Sequence, residues 1–188
     1  MRRACFPIVR VLVLAGSCVA AAAVWACNDP VHDARVSALG DENPAVPPGP
    51  NHRPGQPCLT CHGGNGPADV ELAVAGTIYQ SAAPDSPPLA GAVVTIYDAT
   101  QLADGGAPQT AGTNAAGNFY IPRAQWTPFF PLHDISVTLP GTDAPTMMHT
   151  NVGRDGSCGS CHFDPKSNDS HGHVYFVLEP GDFPGAMP

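Results

Sequence analysis

The chain has 188 residues, a formal charge of −8 and a single lysine, Lys166, a size that suits one domain with tails. A chain this acidic carries no electrostatic footprint for nucleic acid or anionic lipid. Its 20 glycines and 22 prolines interrupt any sustained helical periodicity, so short strands and loops are expected.

The N-terminus reads as an export signal over residues 1–26. Arg2, Arg3 and Arg10 precede an apolar run from Val11 to Ala26, broken only by Gly16, Ser17 and Cys18. A transmembrane anchor is the alternative, but the run is shorter than the ~20 residues a span needs. Val24-Trp25-Ala26-Cys27 resembles a bacterial lipobox, which implies a lipid on Cys27 and a membrane-anchored protein on the periplasmic or cell-surface side. Ordinary cleavage nearby is the other possibility, since Trp25 is unusual in that pattern. Loss of the three leader arginines takes the charge from −8 to −11, which suits a basic docking face on a redox partner.

Residues 27–57 are polar and rich in proline: Pro44, Pro47, Pro48, Pro50, Pro54 and Pro57. Such a segment cannot bury a core and reads as an extended tether. His52 lies at its end, six residues before the first motif that carries chemistry.

That motif is Cys58-Leu59-Thr60-Cys61-His62, and it recurs 100 residues later as Cys158-Gly159-Ser160-Cys161-His162. Each has the form C-x-x-C-H, the pattern that attaches c-type haem. Two thiols three positions apart can reach the two vinyl groups of one haem, and the next histidine then becomes the iron's proximal ligand. Zinc held by two C-x-x-C pairs explains the cysteines but not the histidine at the same offset in both copies. A thioredoxin-like redox pair needs a βαβ setting that is missing here. The cysteines fit two covalent haems: Cys5 and Cys18 leave with the leader, Cys27 takes lipid, and four remain.

Between the motifs lie strand signals. Leu72 to Tyr79 begins a strand after the Gly63–Pro67 loop. In Gly91–Asp98, Ala92, Val94 and Ile96 share one face, with Thr95 and Tyr97 on the other. Asp104-Gly105-Gly106 turns the chain, Phe119–Ile121 supplies another strand, and Ile135, Val137 and Leu139 alternate with Ser136 and Thr138. The segments Gly76-Thr77-Ile78-Tyr79, Pro88 to Ile96 and Asn114-Ala115-Ala116-Gly117-Asn118-Phe119 resemble, in that order, the carboxypeptidase regulatory-like (transthyretin-like) β-sandwich. The resemblance covers roughly Ala75 to Pro140 and implies an accessory module without chemistry of its own. The whole chain resembles exported bacterial cytochromes in which such a module lies between two haem motifs.

The fold expected is therefore mainly β. It is a small antiparallel sandwich at about 75–140 (transthyretin-like or Ig-like) plus a last strand at 173–178, within a dihaem domain at 58–188. The haem motifs lie on loops at its N- and C-terminal sides. If the first and last strands lie together, both motifs gather at one end. Candidates for the sixth iron position are Met147, Met148 and His149 in the loop before the second motif, His171 and His173 after it, and His52. His171 and His173, two apart in an extended segment, would share a face. His133, beside Asp134 at a strand start, reads as structural. The function expected is electron carriage without enzymatic chemistry; the alternatives are a haem-based gas sensor or interaction module, and a subunit of a haem peroxidase or reductase.

Overall fold

Ile135, Val137 and Leu139 point inward and Ser136 and Thr138 lie half exposed in the computed structural model, which describes residues 29–104, 106–142 and 145–176. The strands are β1 (Leu72–Tyr79), β2 (Val93–Tyr97), β3 (Gln109–Gly112), β4 (Asn118–Pro122), β5 (His133–Thr138), β6 (Thr146–Met147) and β7 (Val174–Tyr175). They form two sheets, ordered β4-β1-β7 and β3-β2-β5-β6. Val74 and Ile78 of the first sheet, with Phe119 and Ile121, pack against Val94, Ile96, Ile135 and Val137 of the second. Fully burying an aromatic or branched aliphatic side chain of this kind stabilises the fold by roughly 1.5–3 kcal/mol. The result is a small, mainly β sandwich.

The strand β1 organises the site, being buried along nearly its whole length. Val74 and Ile78 face the core, so Ala73, Ala75 and Thr77 must be covered on the other face by chain. β1 pairs antiparallel with β4 and parallel with β7, through Ile78↔Val174 and Tyr79↔Tyr175. The first and last strands are thus neighbours, and the expected all-antiparallel sandwich acquires one parallel pair. Parallel neighbours need a crossover connection, and here the whole second sheet supplies it.

Several expectations change. Residues 29–57 are not a featureless tether. A helix, α1 (Pro30–Ala38), starts where Asp29 Oδ1 accepts the Val31 and His32 amides, at 3.1 and 3.0 Å, with Pro30 as the first helical residue. The compact unit that holds the sandwich begins at Leu39, well before Cys58. Pro50 and Gly55 dock on the sheet. Asn118 Nδ2 donates to the carbonyls of Pro50 and His52, at 3.3 and 3.0 Å, and the Gly55 amide donates to Thr77 Oγ1 at 2.8 Å. Proline removes a donor but keeps its carbonyl, which is what Asn118 uses. The turn expected at residues 104–106 includes residue 105, outside the described residues; a short helix (Ala99–Asp104) stands before it and the unanticipated β3 after it. The leader, Cys27 and residues 177–178 of the last strand lie outside the described residues. Among those described, no helix is long and apolar enough to cross a membrane.

Candidate functional site

The two C-x-x-C-H stretches fold into the same turn. In the first, forming helix α2 (Leu59–His62), the amides of Cys61 and His62 reach the Cys58 carbonyl at 3.2 and 2.9 Å. In the second, a 3-10 turn over Cys158–Ser160, the amides of Cys161 and His162 reach the Cys158 carbonyl at the same two distances. Each turn places its cysteines three positions apart and its histidine four positions beyond the first, on one surface of the turn. The loops that follow also match. Ala68 N–H returns to the Cys61 carbonyl at 3.1 Å, and His171 N–H returns to the Cys161 carbonyl at 2.9 Å.

The histidine rings of both motifs are fixed through Nδ1. His62 Nδ1 donates to Val70 O at 2.8 Å, and His162 Nδ1 donates to Gly172 O at 3.0 Å. A neutral imidazole with its proton on Nδ1 presents a bare Nε2, the form in which histidine ligates a metal, with a backbone carbonyl holding the ring. Burial lowers the His162 pKa and keeps that ring neutral, against the raising effect of its bond to Gly172.

The four motif cysteines are free thiols. Burial pushes Cys58 up to about 11 and Cys158 to about 12, so the first thiol of each motif stays protonated at neutral pH. A protonated thiol is a poor nucleophile towards oxidants and stray disulfides. Among the described residues, no three His, Cys, Asp or Glu side chains gather as a metal site requires.

Beside the first turn lies a cavity of about 380 Å³, lined by Cys58, Cys61, His62, Leu72, Phe119 and Tyr120 among others. His52 also lines it, its ring centroid 5.7 Å from that of His62 and the planes 14° apart. Beside the second turn the exposed His171 ring lies 5.6 Å from His162, at 43°. Each motif histidine therefore has a second imidazole at nearly the same separation. A size within the usual range for cofactor pockets, apolar walls, convergent thiols and bare ring nitrogens suit a covalently held haem at the first turn. The second offers the same donor set.

The remaining candidates have other surroundings. Met147 is 41 % exposed on the edge strand β6, in the sheet away from β1. Met148 is half buried against the core, and His149 is exposed just beyond. None of the three lines the cavity. His173 is buried, with Nδ1 2.5 Å from Asp164 Oδ2 and Nε2 2.7 Å from Ser81 O, so both ring nitrogens are occupied within the fold. The expectation that His171 and His173 share a face is corrected. Gly172 at φ +79° breaks the extended geometry, sending one ring to His162 and the other to Tyr79. His133 is buried against Asp98 O and Asp134, a structural place.

The two turns also meet. Ser157 pairs with Ala75 of β1, which places Cys158 over Gly76, where a Cβ would lie 2.8 Å from the Cys158 Cβ. Gly159 packs on the residues just before Cys58, and a Cβ there would lie 2.6 Å from Gln56 O and 3.0 Å from Pro57 N. Only residues without a side chain permit this approach.

Three polar residues of the site were not anticipated. Buried Asn118 and Thr77, joined at 2.8 Å, hold the segment that carries His52. Buried Ser170 ties the loop between His162 and His171. Its Oγ accepts the amides of Phe163 and Gly172, at 2.9 and 3.0 Å, and contacts the carbonyls of Phe163 and Cys161. No protein-family model, curated protein or solved structure matches the chain.

Proposed function

We propose that this chain is an exported dihaem c-type cytochrome that carries electrons. Cys58 and Cys61 would hold one haem with His62 as proximal ligand; Cys158 and Cys161 would hold the other with His162. The observation that carries the reading is the duplicate turn: two C-x-x-C-H stretches with matching hydrogen bonds, each histidine fixed through Nδ1 with Nε2 bare. Haem supplies one-electron exchange when bound. The chain's own residues orient the imidazoles, wall one face with buried Leu72 and Phe119, and set the two sites against each other. Close contact between the sites favours carriage, since a relay uses it and a single-site gas sensor has no need of it. The motif resemblance to carboxypeptidase regulatory-like modules agrees with a sandwich that spaces the sites without chemistry of its own.

Attachment is tested by changing Cys58 and Cys61 together to Ala. The wild type should carry two haems that resist acid–acetone extraction, and the double variant one. Two remaining haems, or zinc in place of iron, would reject the reading. The lipobox-like Cys27 and the charge of −11 support a lipid-anchored protein of the cell envelope with a basic redox partner. The wild type should then sediment with membranes, whereas Cys27→Ser should be released or stay unprocessed. A soluble wild type beginning downstream of Cys27 would remove the anchor from the proposal and leave the haems.

A further inference from the structure

The position opposite each proximal histidine is filled from this chain, and the geometry points to His52 as the second ligand with His62 and His171 as the second ligand with His162. The inference rests on the haem reading above and goes beyond it by closing both irons with nitrogen. Two imidazoles on opposite sides of a metal, at metal–nitrogen bonds of about 2 Å each, hold their ring centroids about 6 Å apart. The observed separations are 5.7 and 5.6 Å, in two places separated by a hundred residues of sequence. Tyr97 and His133 lie 5.8 Å apart away from either motif, so the inference rests on the repetition of a histidine pair beside both motifs and not on the separation alone.

Each second histidine is also built in by a buried polar side chain. Asn118 receives the Thr77 hydroxyl on Oδ1 and donates to the carbonyl of His52 itself, at 3.0 Å. Ser170, 3 % exposed, immediately precedes His171 and binds both ends of its loop. Polar side chains buried this way are satisfied and hold their loops in a single arrangement. The competing histidines lack a free nitrogen or a place near a motif. His173 has both nitrogens on oxygens, and His149 follows the edge strand of the other sheet. One rearrangement is required at the first site. His52 Nδ1 accepts the Gly49 amide at 3.2 Å, which leaves the ring proton on Nε2. Ligation through Nε2 moves that proton to Nδ1 and releases the Gly49 amide.

The test is spectroscopic and uses the full-length protein with haem attached. Ferric wild type should be entirely low-spin, without the thioether-to-iron charge-transfer band in the red. His52→Ala and His171→Ala should each retain two covalent haems while one of them turns high-spin, and added imidazole should restore the low-spin spectrum. Recovery by imidazole separates a lost ligand from a misfolded loop. Asn118→Ala should weaken the first site alone, giving a partial high-spin fraction that imidazole also removes. Met147→Leu with Met148→Leu, and His149→Ala, should leave the spectrum as in wild type. A fully low-spin His52→Ala or His171→Ala protein, or a red band lost on changing the methionines, would overturn the ligand assignment while the haem reading stands. A wild type without covalent haem would overturn both.

Discussion

What separates one histidine from another in this chain is where its two ring nitrogens go. His62 and His162 give Nδ1 to a backbone carbonyl and keep Nε2 clear. His133 faces oxygen with both, Nε2 2.9 Å from Asp98 O and Nδ1 2.9 Å from Asp134 Oδ2. A neutral imidazole can donate only once, so the second contact at His133 favours the protonated ring. Its pKa is raised from 6.5, first by the hydrogen bond to Asp134 and against the opposing effect of burial. The folded state thus holds this proton more tightly than the unfolded chain does. The stability it contributes is present in full below the unfolded value and is lost as pH rises through the folded one. Asp134 is 69 % exposed, so screening keeps the contribution small, on the order of 0.5 kcal/mol. Asp134 also sits at φ +46°, a conformation asparagine tolerates well, so Asp134→Asn tests the charge without adding strain. Thermal unfolding of Asp134→Asn should fall below wild type at about pH 5.5 and converge on it near about pH 8. A deficit that stays constant or grows as pH rises would show that the carboxylate acts there by some means other than the imidazolium.

At the scale of elements, what could be read from the sequence was what the chain states locally. The alternation in β2 and β5 puts Val94, Ile96, Ile135 and Val137 in the core because a pleated strand exposes successive side chains to opposite faces. The duplicate C-x-x-C-H spacing marked the candidate site without any fold, and the two stretches take matching turns. β3 has no such voice: Gln-Thr-Ala-Gly carries no apolar alternation, and it is a strand because Thr110 and Ala111 pair with Thr95 and Val94. The helix Pro30–Ala38 did have a signal, Asp29 followed by Pro30, hidden inside a segment read for its proline content. The docking of residues 50–55 could not be read locally at all. Its partners, Thr77 and Asn118, lie far along the chain, and each looks like an ordinary strand residue until the other is beside it. His52 therefore stood as one of six candidates at the end of a tether, with nothing local to single it out, although Asn118 sets it beside His62. Tertiary contacts of this kind leave no periodic trace.

For the molecule as a whole, the parallel pairing of β1 with β7 converts two distant motifs into neighbours. Each motif is followed by a loop and then by one of these two strands, so side-by-side strands bring the turns together. Gly159 is where that contact is tightest, because its Cα faces the backbone of Gln56 and Pro57, the residues that lead into Cys58. Backbone cannot yield as a flexible side chain would, so a methyl group here must push the turns apart. Overpacking of this kind costs about 1–3 kcal/mol. Gly153 supplies the matched control, since a Cβ there meets nothing within 4 Å. On the proposed dihaem reading, Gly159→Ala should keep two haems, lower the melting temperature and weaken the electronic coupling between the sites. Coupling is read from the split circular-dichroism signal of the Soret band and from mutual broadening in electron paramagnetic resonance. Gly153→Ala should leave both signals as in wild type. The contact would have no bearing on electron passage if Gly159→Ala kept the wild-type coupling, or if Gly153→Ala lost as much of it. Coupling lost at Gly159 alone, with haem content and axial spectra intact, would place the junction between the two motifs on the electron's path.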